Sequence, residues 1–422
     1  MLIIWTLFFA LSAWSADVDF HGYLRAGAGS NGKGAKQECF SNRGAPGNEF
    51  RLGNECSIYG EADFEVPFLK GNSEEPFFRS ALRFAFFPAG NSSFEENDSD
   101  GNDLNVVEAF VEGGRIDGSP LTYWVGKRFY RDVDVYINDW YYFAQMSGNG
   151  GGIGNIPLGS GKLAAAFLFE TGATRTNVGR HQVQVLDLRW QDVVLGEKDR
   201  LHIWGAFGQA PGGRIANNTP YEARNGWLLG ARWHHDLPDG FSHLTAVYGR
   251  NLLESISLYG NSAFNNTVTN TSTKAERWRF VEHVAFQPLP KLGLFFATAL
   301  ELWNPRLPGQ DARGSWWSMG ARPVYFFTKH YQLAFEAGHS VVHERAERNS
   351  AGLLNGPRTM TRLTIAPQLS VGPGLWTRPL LRAFYSRTFW NRANQSDMAS
   401  NAPSFAGSLD GQSLGLQAEL WF

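Results

Sequence analysis

The chain has 422 residues, of which 43 % are hydrophobic, 14 % aromatic and 18 % charged, and its formal net charge at pH 7 is −2. A nearly neutral chain lacks the excess of Lys and Arg that nucleic-acid-binding surfaces need, so we expect no nucleic-acid partner. Aromatic and glycine residues are abundant and charged residues scarce for a soluble enzyme of this length, which disfavours that class.

The first 16 residues form the longest apolar run of the sequence. The run is too short to cross a bilayer comfortably, and Asp17 follows it. It therefore predicts a secretory signal peptide cleaved near Ser15 or Ala16. The positive charge that usually begins such a signal is missing, so an apolar first strand is the alternative. We expect residues 17–422 to form one domain.

From residue 18 onward, the sequence alternates apolar and polar residues in about seventeen segments of roughly ten residues each. A period of two is typical of β-strands, and about ten residues let a tilted strand cross a bilayer. Bacterial single-chain barrels have even strand numbers, so sixteen or eighteen strands are implied, and we take eighteen. The predicted fold class is all-β, a transmembrane antiparallel β-barrel. The segments are 18–29, 54–68, 77–87, 102–114, 121–130, 161–171, 181–192, 199–210, 226–237, 241–252, 275–287, 294–303, 316–329, 331–343, 357–371, 378–390 and 413–422.

The connections between these segments alternate in length. Residues 238–240 and 288–293 are short, as periplasmic turns of a barrel are. Longer stretches rich in Gly, Asn and Ser are typical of extracellular loops. These stretches are 30–53, 88–104, 131–160, 253–274 and 391–412.

The two faces of the first strand differ in chemistry. Asp19, His21, Tyr23 and Arg25 share one face, whereas Phe20 shares the other with apolar neighbours. A charged side chain facing lipid at mid-bilayer costs roughly 2–4 kcal/mol, so the polar face must line the pore. The same reasoning places four aromatic residues in the pore, which are Tyr23, Tyr59, Trp376 and Trp421.

Aromatic rings in a polar pore suit the passage of sugars. The apolar C–H face of a pyranose can lie on a ring while its hydroxyls form hydrogen bonds with polar neighbours. Conduction needs binding sites that release a solute as readily as they capture it. Such rings predict a sugar channel, and the alternative is that they belong to the aromatic girdles at the two membrane interfaces.

The stretch 121–160 is both aromatic and charged, and ends in the glycine-rich run 148–152. Long loops of this kind are usually functional. We expect it to fold into the barrel and narrow it, the alternative being a surface loop that contacts neighbours. Its aromatic and charged residues include Arg131, Asp132, Asp139 and Tyr141.

Cys39 and Cys56 are the two cysteines of the chain. An exported protein meets an oxidising compartment, so a disulfide that closes one loop is expected, with two free buried thiols as the alternative. No residues at metal-ligand spacing accompany them, and we expect neither a metal nor another cofactor.

The residues at the two ends and in several internal runs closely resemble the maltoporin family of trimeric, eighteen-stranded outer-membrane channels for maltodextrins. Bacterial outer-membrane barrels also end on a strand that alternates as Leu414 to Phe422 does and that closes on Phe. The matching runs are Val18–Tyr23, Arg51–Cys56, Gly126–Tyr130, Trp316–Trp317, Trp376–Pro379 and Glu419–Phe422.

The resemblance implies a bacterial outer-membrane location, a homotrimer and a set of sugar-contacting residues. The implied aromatic slide is Tyr23, Tyr59, Phe241, Trp376 and Trp421, with Phe94 contributed by a neighbouring subunit. The implied polar track is Arg25, Arg51 and Glu61. The constriction tyrosine matches Tyr141 with Asp139 nearby, and the loop disulfide matches Cys39 with Cys56.

Three positions depart from the family's polar track. Val107 and Asp132 stand where the family has Arg, although Arg131 adjoins the second, and Ala144 stands where it has Asp. Since Val cannot form the directional, charge-assisted hydrogen bonds of Arg, we expect weaker sugar binding or a different preferred sugar. Sucrose porins also differ at the constriction, but they carry an N-terminal helical extension that is absent here.

A passive maltodextrin channel is the function that the sequence favours, and it has several alternatives. A porin for sucrose or β-glucosides and a general diffusion porin remain alternatives, and a soluble β-rich sugar-binding protein is a further one. A barrel lipase needs a Ser–His pair in a suitable arrangement, and the sequence around His234 and His339 offers no such arrangement. Lipid and oligosaccharide are the expected partners, and phages can attach to long loops of any such barrel.

Overall fold

The computed structural model describes residues 17–72, 74–86, 104–171, 182–214, 220–257, 274–306, 309, 311–348 and 354–422. The predicted signal peptide, residues 1–16, and the predicted slide residue Phe94 lie outside the described residues.

Eighteen strands form a closed antiparallel barrel. Each strand pairs with the next along the chain, and the first also pairs with the last, which closes the sheet. The predicted fold class and the choice of eighteen strands are therefore confirmed. The strands are β1 Asp19–Ser30, β2 Tyr59–Leu69, β3 Phe77–Phe86, β4 Leu104–Gly114, β5 Thr122–Arg128, β6 Gly148–Leu158, β7 Gly161–Thr171, β8 Gln182–Val194, β9 Asp199–Ala210, β10 Arg224–Leu237, β11 Gly240–Asn251, β12 Glu276–Leu289, β13 Leu292–Asn304, β14 Gly314–Phe326, β15 Tyr331–Glu344, β16 Arg358–Ser370, β17 Leu380–Trp390 and β18 Asp410–Trp421.

The sequence predicts a loop over 131–160, but Gly148–Leu158 within it forms the strand β6. Every second residue of β6 from Gly148 to Gly154 is glycine, and these residues pair with inward-facing residues of β5. Glycine has no side chain, so this face gives no alternating signal. A β-carbon on Gly152 would lie 2.5 Å from Nε1 of the Trp124 indole, so this glycine gives the indole its space.

The alternation of side chains separates an apolar outer face from a polar inner one. On β18, Leu416 is 67 % exposed, whereas Glu419 is 6 % exposed. Outside the barrel, the ring of Phe20 lies 5.1 Å from that of Phe64 on β2 and 5.1 Å from that of Phe422. Apolar side chains dominate the outer face, as expected where strands meet lipid, and many of the inner side chains pair with one another.

Two long connections, which we name loop A (31–58) and loop B (129–147), pack against inward-facing side chains. Loop A was expected only as an extracellular loop, yet its residues Phe40, Phe50 and Leu52 are fully buried. In loop B, Ile137 and Tyr142 are buried to the same degree. The backbone N–H of Arg51 in loop A donates to the carbonyl of Ile137 in loop B at 2.9 Å, which joins the two loops.

Paired glycines hold Phe50 of loop A against the barrel wall. Gly320 on β14 and Gly338 on β15 are direct partners across the sheet. A β-carbon on Gly338 would lie 2.1 Å from the Phe50 ring, and one on Gly320 would lie 3.0 Å from it. The two glycines therefore leave a recess in the inner wall that the ring fills.

The predicted disulfide is confirmed, since Cys39 and Cys56 are joined near the two ends of loop A. The remaining elements are short. They are the helix α1 Gln395–Asn401, three 3-10 turns at Ile116–Gly118, Arg392–Asn394 and Pro403–Phe405, and two small ladders that pair Asp134–Val135 with Trp140–Tyr141 and Gly213–Arg214 with Pro220–Tyr221. None of the helices in the described ranges is long and apolar enough to cross a membrane.

Candidate functional site

The barrel encloses a cavity of about 1020 Å³, bounded on one side by β1, β2 and β18 and on others by loops A and B. Among the predicted site residues that the structure describes, Asp132, Phe241 and Trp376 lie outside its lining. The predicted residues that line it are Tyr23, Arg25, Arg51, Tyr59, Glu61, Arg131, Asp139, Tyr141 and Trp421.

The strand register brings the slide and polar-track residues into two neighbouring rows. In one row, Tyr23 on β1 pairs with Trp421 on β18 and with Glu61 on β2. In the next inward-facing row, Arg25 pairs with Glu419 on one side and Tyr59 on the other. Because alternate residues of a strand share a face, both rows point into the cavity. The rings of Tyr23 and Tyr59 lie 5.8 Å apart.

The polar atoms beside these rings form a connected network. The Tyr23 hydroxyl accepts a hydrogen bond from Nη2 of Arg51 at 3.0 Å and donates to Oε1 of Glu419 at 3.2 Å. The Arg378 guanidinium lies 4.1 Å above the Trp421 ring. Charge-assisted hydrogen bonds of this kind fix side-chain positions strongly, so the rings are held in place.

Loop B is held against the wall by arginines that donate to its backbone. Nη1 of Arg279 donates to the Tyr142 carbonyl at 2.9 Å, and Nη2 of Arg189 donates to the carbonyls of Tyr130 and Ala144 at 3.0 and 3.1 Å. The Tyr142 hydroxyl lies 3.2 Å from Nδ1 of His243 on β11. These contacts join loop B to inward-facing side chains of β8, β11 and β12.

The three departures from the polar track are placed away from the cavity lining. Oδ2 of Asp132 lies 2.8 Å from Nη1 of Arg232 on β10, so its carboxylate faces the wall instead of the constriction for which it was predicted. Ala144 is fully buried. Val107 lies at a bulge in β4. Arg83 and Phe84 of β3 pair with Glu108 and Val106, so Val107 between them has no partner on β3.

Arg131, which was predicted from its position beside Asp132, does reach the cavity. The central carbon of its guanidinium lies 3.9 Å from the ring centroid of Phe129 and 3.9 Å from that of Tyr141. Neighbouring residues of loop B thus point in opposite directions. Arg131 presents its positive charge to the cavity, whereas Asp132 neutralises the charge of Arg232 in the barrel wall.

Two predicted slide residues, Phe241 and Trp376, lie outside the cavity lining, and Trp376 contacts Tyr136, a residue that was not predicted. The Trp376 ring meets Tyr136 edge-on at 4.6 Å and Phe295 at 5.3 Å, and lies parallel to Phe241 at 6.4 Å. Tyr136 itself lines the cavity. Its position in an aromatic loop was visible in the sequence, but its contact with Trp376 depends on the fold of loop B.

Burial changes the acidity of two loop B residues that line the cavity. Burial raises the pKa of Asp134 to about 6, with Asp139 adding to the effect and Arg51 opposing it. Burial also raises the pKa of Tyr141 to about 12. At neutral pH, Tyr141 therefore carries its proton and can donate a hydrogen bond, whereas most of Asp134 is ionised.

Solved structures with a similar fold include three proteins of low sequence identity. The first is OccAB1 of Acinetobacter baumannii, with 10 % identity, 96 % of each chain covered and a TM-score of 0.51. The second is OpdK of Pseudomonas aeruginosa, with 10 % identity, 96 % of this chain and 99 % of that chain covered and a TM-score of 0.48. The third is the outer-membrane channel DcaP of Acinetobacter baumannii, with 12 % identity, 96 % and 97 % covered and a TM-score of 0.44.

A family model described as LamB porin matches residues 18–422, which is almost the whole chain. The closed barrel of eighteen strands agrees with that assignment, and the likeness to OccAB1 concerns the fold alone. The chain belongs to the LamB porin family, and is a β-barrel channel of the bacterial outer membrane.

Proposed function

We propose that this porin is a passive channel for oligosaccharides, with maltose and maltodextrins as its substrates. The observation that carries the proposal is that Tyr23, Tyr59 and Trp421 line one cavity together with Arg25 and Arg51. Rings can hold the apolar face of a pyranose while arginines donate to its hydroxyls. This combination suits a sugar better than a simple ion.

The altered polar track bears on which sugar is preferred. Asp132 is engaged with Arg232, and neither Val107 nor Ala144 can replace the hydrogen bonds of a charged residue. Trp376, a predicted slide residue, lies outside the cavity lining and contacts Tyr136, which lines it. Sucrose, β-glucosides and unselective diffusion are therefore the alternatives to maltodextrins.

We further propose that the chain works as a homotrimer in contact with outer-membrane lipid. Membership of the LamB porin family supports this assembly, and the apolar outer face, with side chains such as Leu416, supports the contact with lipid. Gel migration of unheated and heated protein would reveal the oligomer. Long loops also make attachment of a phage a reasonable further use of the surface.

The decisive experiment records ion current through the protein in a planar bilayer while sugars are added. We expect maltodextrins to block the current reversibly, and sucrose and β-glucosides complete the panel. If none of these sugars blocks a current of porin-like size, the selective channel is disproved and unselective diffusion is favoured.

A pair of variants on β18 tests the slide itself. Trp421→Ala removes a ring from the cavity, so we expect weaker sugar block with ion flow retained. Leu416→Ala is the matched control, because Leu416 lies on the outer face of the same strand and is 67 % exposed. Equal sugar affinity in wild type and Trp421→Ala would remove Trp421 from the sugar path.

A further inference from the structure

Arg131 differs from the other arginines that line the cavity. Each of the others is paired with a carboxylate, at nitrogen–oxygen distances of 2.5–2.7 Å. Arg131 has no ion pair with any residue in the described part of the chain. The paired arginines are Arg25 and Arg51 with Glu55, Arg83 with Asp63, and Arg277 and Arg279 with Glu301.

The surroundings of Arg131 leave one direction open for a ligand. Its guanidinium lies 3.9 Å from the ring centroids of both Phe129 and Tyr141, so ring contacts take up its faces. A guanidinium carries its N–H donors in the plane of the group. These in-plane donors are what the residue offers to the cavity that it lines.

Two of the nearby carboxylates have other arginines as partners. Oε2 of Glu61 lies 3.3 Å from Nη1 of Arg83, and Oδ1 of Asp139 lies 3.6 Å from Nη1 of Arg51. Neither side chain is therefore free to act as the partner of Arg131. Asp134 also lines the cavity and interacts electrostatically with Arg131, but it forms no ion pair with it. The constriction thus holds a planar cation to which a solute can offer a closer counter-charge.

A planar cation with free in-plane donors matches a planar anion. Arginine binds carboxylates through two parallel N–H···O bonds, and such charge-assisted bonds are about twice as strong as those between neutral groups. We propose that Arg131 binds the carboxylate of an acidic sugar, so that the channel takes uronate-containing oligosaccharides in preference to neutral ones of equal length. This inference rests on the proposed sugar channel and names a substrate class for the same cavity.

The test compares current block by trigalacturonate and by maltotriose in the trimer-forming, full-length protein. In the wild type we expect trigalacturonate to bind more tightly. In Arg131→Gln its affinity should fall about tenfold or more, the amount expected for a lost charged hydrogen bond, while the affinity for maltotriose changes little. Arg131→Lys keeps the charge but loses the planar pair of donors, so it should restore the affinity only in part.

Other outcomes would overturn the assignment. Tighter binding of maltotriose than of trigalacturonate in the wild type would do so while leaving the neutral sugar channel intact. An equal loss for both sugars in Arg131→Gln would make Arg131 a general sugar contact. If Arg131→Lys bound trigalacturonate as tightly as the wild type, only the positive charge of Arg131 would matter and not its planar pair of donors. Block by neither sugar would instead count against the proposed function.

An exposed, ion-paired arginine serves as the control for removal of a charge. Arg387 on β17 pairs with Asp410 at 2.8 Å on the outer side of the barrel, and its side chain is 49 % exposed. Arg387→Gln should leave the affinities for both sugars unchanged. A fall in trigalacturonate affinity in this variant equal to that in Arg131→Gln would contradict the proposal.

Discussion

The ring of Phe50 fills the place that a side chain on Gly338 would need, 2.1 Å from the position of its β-carbon. The contact joins loop A to β15 at a fully buried point. Phe50 is followed by Arg51, which bonds to Tyr23 and lies near Glu419. Gly338 does not line the cavity. By leaving room for Phe50, it nevertheless helps to position Arg51, which does.

We predict that Gly338→Ala forces the Phe50 ring out of its recess. Overpacking of this kind typically costs about 1–3 kcal/mol, so the unfolding free energy should fall by that amount. Displacement of loop A should also shift Arg51 and weaken sugar block. Urea unfolding followed by tryptophan fluorescence measures the first effect, and bilayer recordings measure the second.

A double-mutant cycle with Phe50→Ala separates this mechanism from other causes. Phe50→Ala alone should cost about 3–5 kcal/mol, as loss of a buried Phe usually does. In that background the ring is gone, so Gly338→Ala should cost almost nothing further. Additive effects of the two changes would show that Gly338 acts through something other than Phe50.

We predict that Tyr136→Ala joins the cavity to the space beside Trp376. Tyr136 lines the cavity and meets the Trp376 ring at 4.6 Å, so its removal widens this passage. Single-channel conductance in KCl should rise, and sugar residence times should change because another ring becomes available. Tyr123→Ala is the control, since Tyr123 is an outer-face tyrosine that is 45 % exposed. Unchanged conductance in Tyr136→Ala would mean that Tyr136 does not limit the passage.

Acidification should reduce the cation selectivity of the channel through Asp134. Burial raises the pKa of this carboxyl to about 6, so it is mostly ionised at pH 7 and mostly neutral at pH 5. The reversal potential in a KCl gradient should therefore move towards lower cation preference over this range. Asp134→Asn should show the low-pH value throughout. An equal pH response in the variant and the wild type would assign the effect to other groups.

The raised pKa of Asp134 also predicts how the unfolding free energy changes with pH. The folded protein holds the Asp134 proton more tightly than the unfolded chain, in which the pKa is near the ordinary 3.8. The contribution of this group to the unfolding free energy is therefore complete below about pH 4 and is lost as pH rises through about 6. Asp134→Asn should be more stable than the wild type at pH 8, by up to about 3 kcal/mol. Urea midpoints at pH 4 and pH 8 measure the difference.

The Cys39–Cys56 disulfide should stabilise loop A in its packed position. A crosslink over a segment of this length restricts the unfolded chain and contributes about 3 kcal/mol in the chain-entropy account. Replacing both cysteines with Ser should therefore lower the unfolding free energy by a similar amount. Added reductant should destabilise the wild type and leave the double variant unaffected. Equal sensitivity of the two proteins to reductant would exclude the disulfide as the cause.

The barrel could be predicted from the sequence because alternation is a strong signal wherever two solvents meet the two faces of a strand. Charged residues such as Arg25 and Glu419 identified the inner face, and Leu416 and Phe422 the outer one. The strand β6 was missed because glycines carry no such signal. Seventeen apparent segments became eighteen only because barrels of this class have even strand numbers.

The cavity residues on strands could be derived from register and alternation, whereas those on loops, Arg51, Arg131, Asp139 and Tyr141, came from the resemblance to the maltoporin family. Tyr23, Arg25, Tyr59, Glu61 and Trp421 reach the cavity because register and alternation determine their positions. In the loops, position along the chain does not determine direction.

Asp132 and Arg131 illustrate this difference, since adjacent residues of loop B face opposite ways. The contact of Tyr136 with Trp376 and the recess for Phe50 likewise depend on tertiary packing. Neither of these two features can be recognised from the local sequence.

The pairing of Tyr23 with Trp421 ties the proposed sugar path to barrel assembly. The two rings belong to the first and last strands, and they become neighbours only when β1 and β18 form their hydrogen bonds. On the lipid side of the same seam, Phe422 packs across Gly22. A partly inserted chain with an open seam would lack a continuous aromatic surface. Selectivity for sugars would therefore arise at the last step of membrane insertion, and sugar-dependent block would report closure of the barrel.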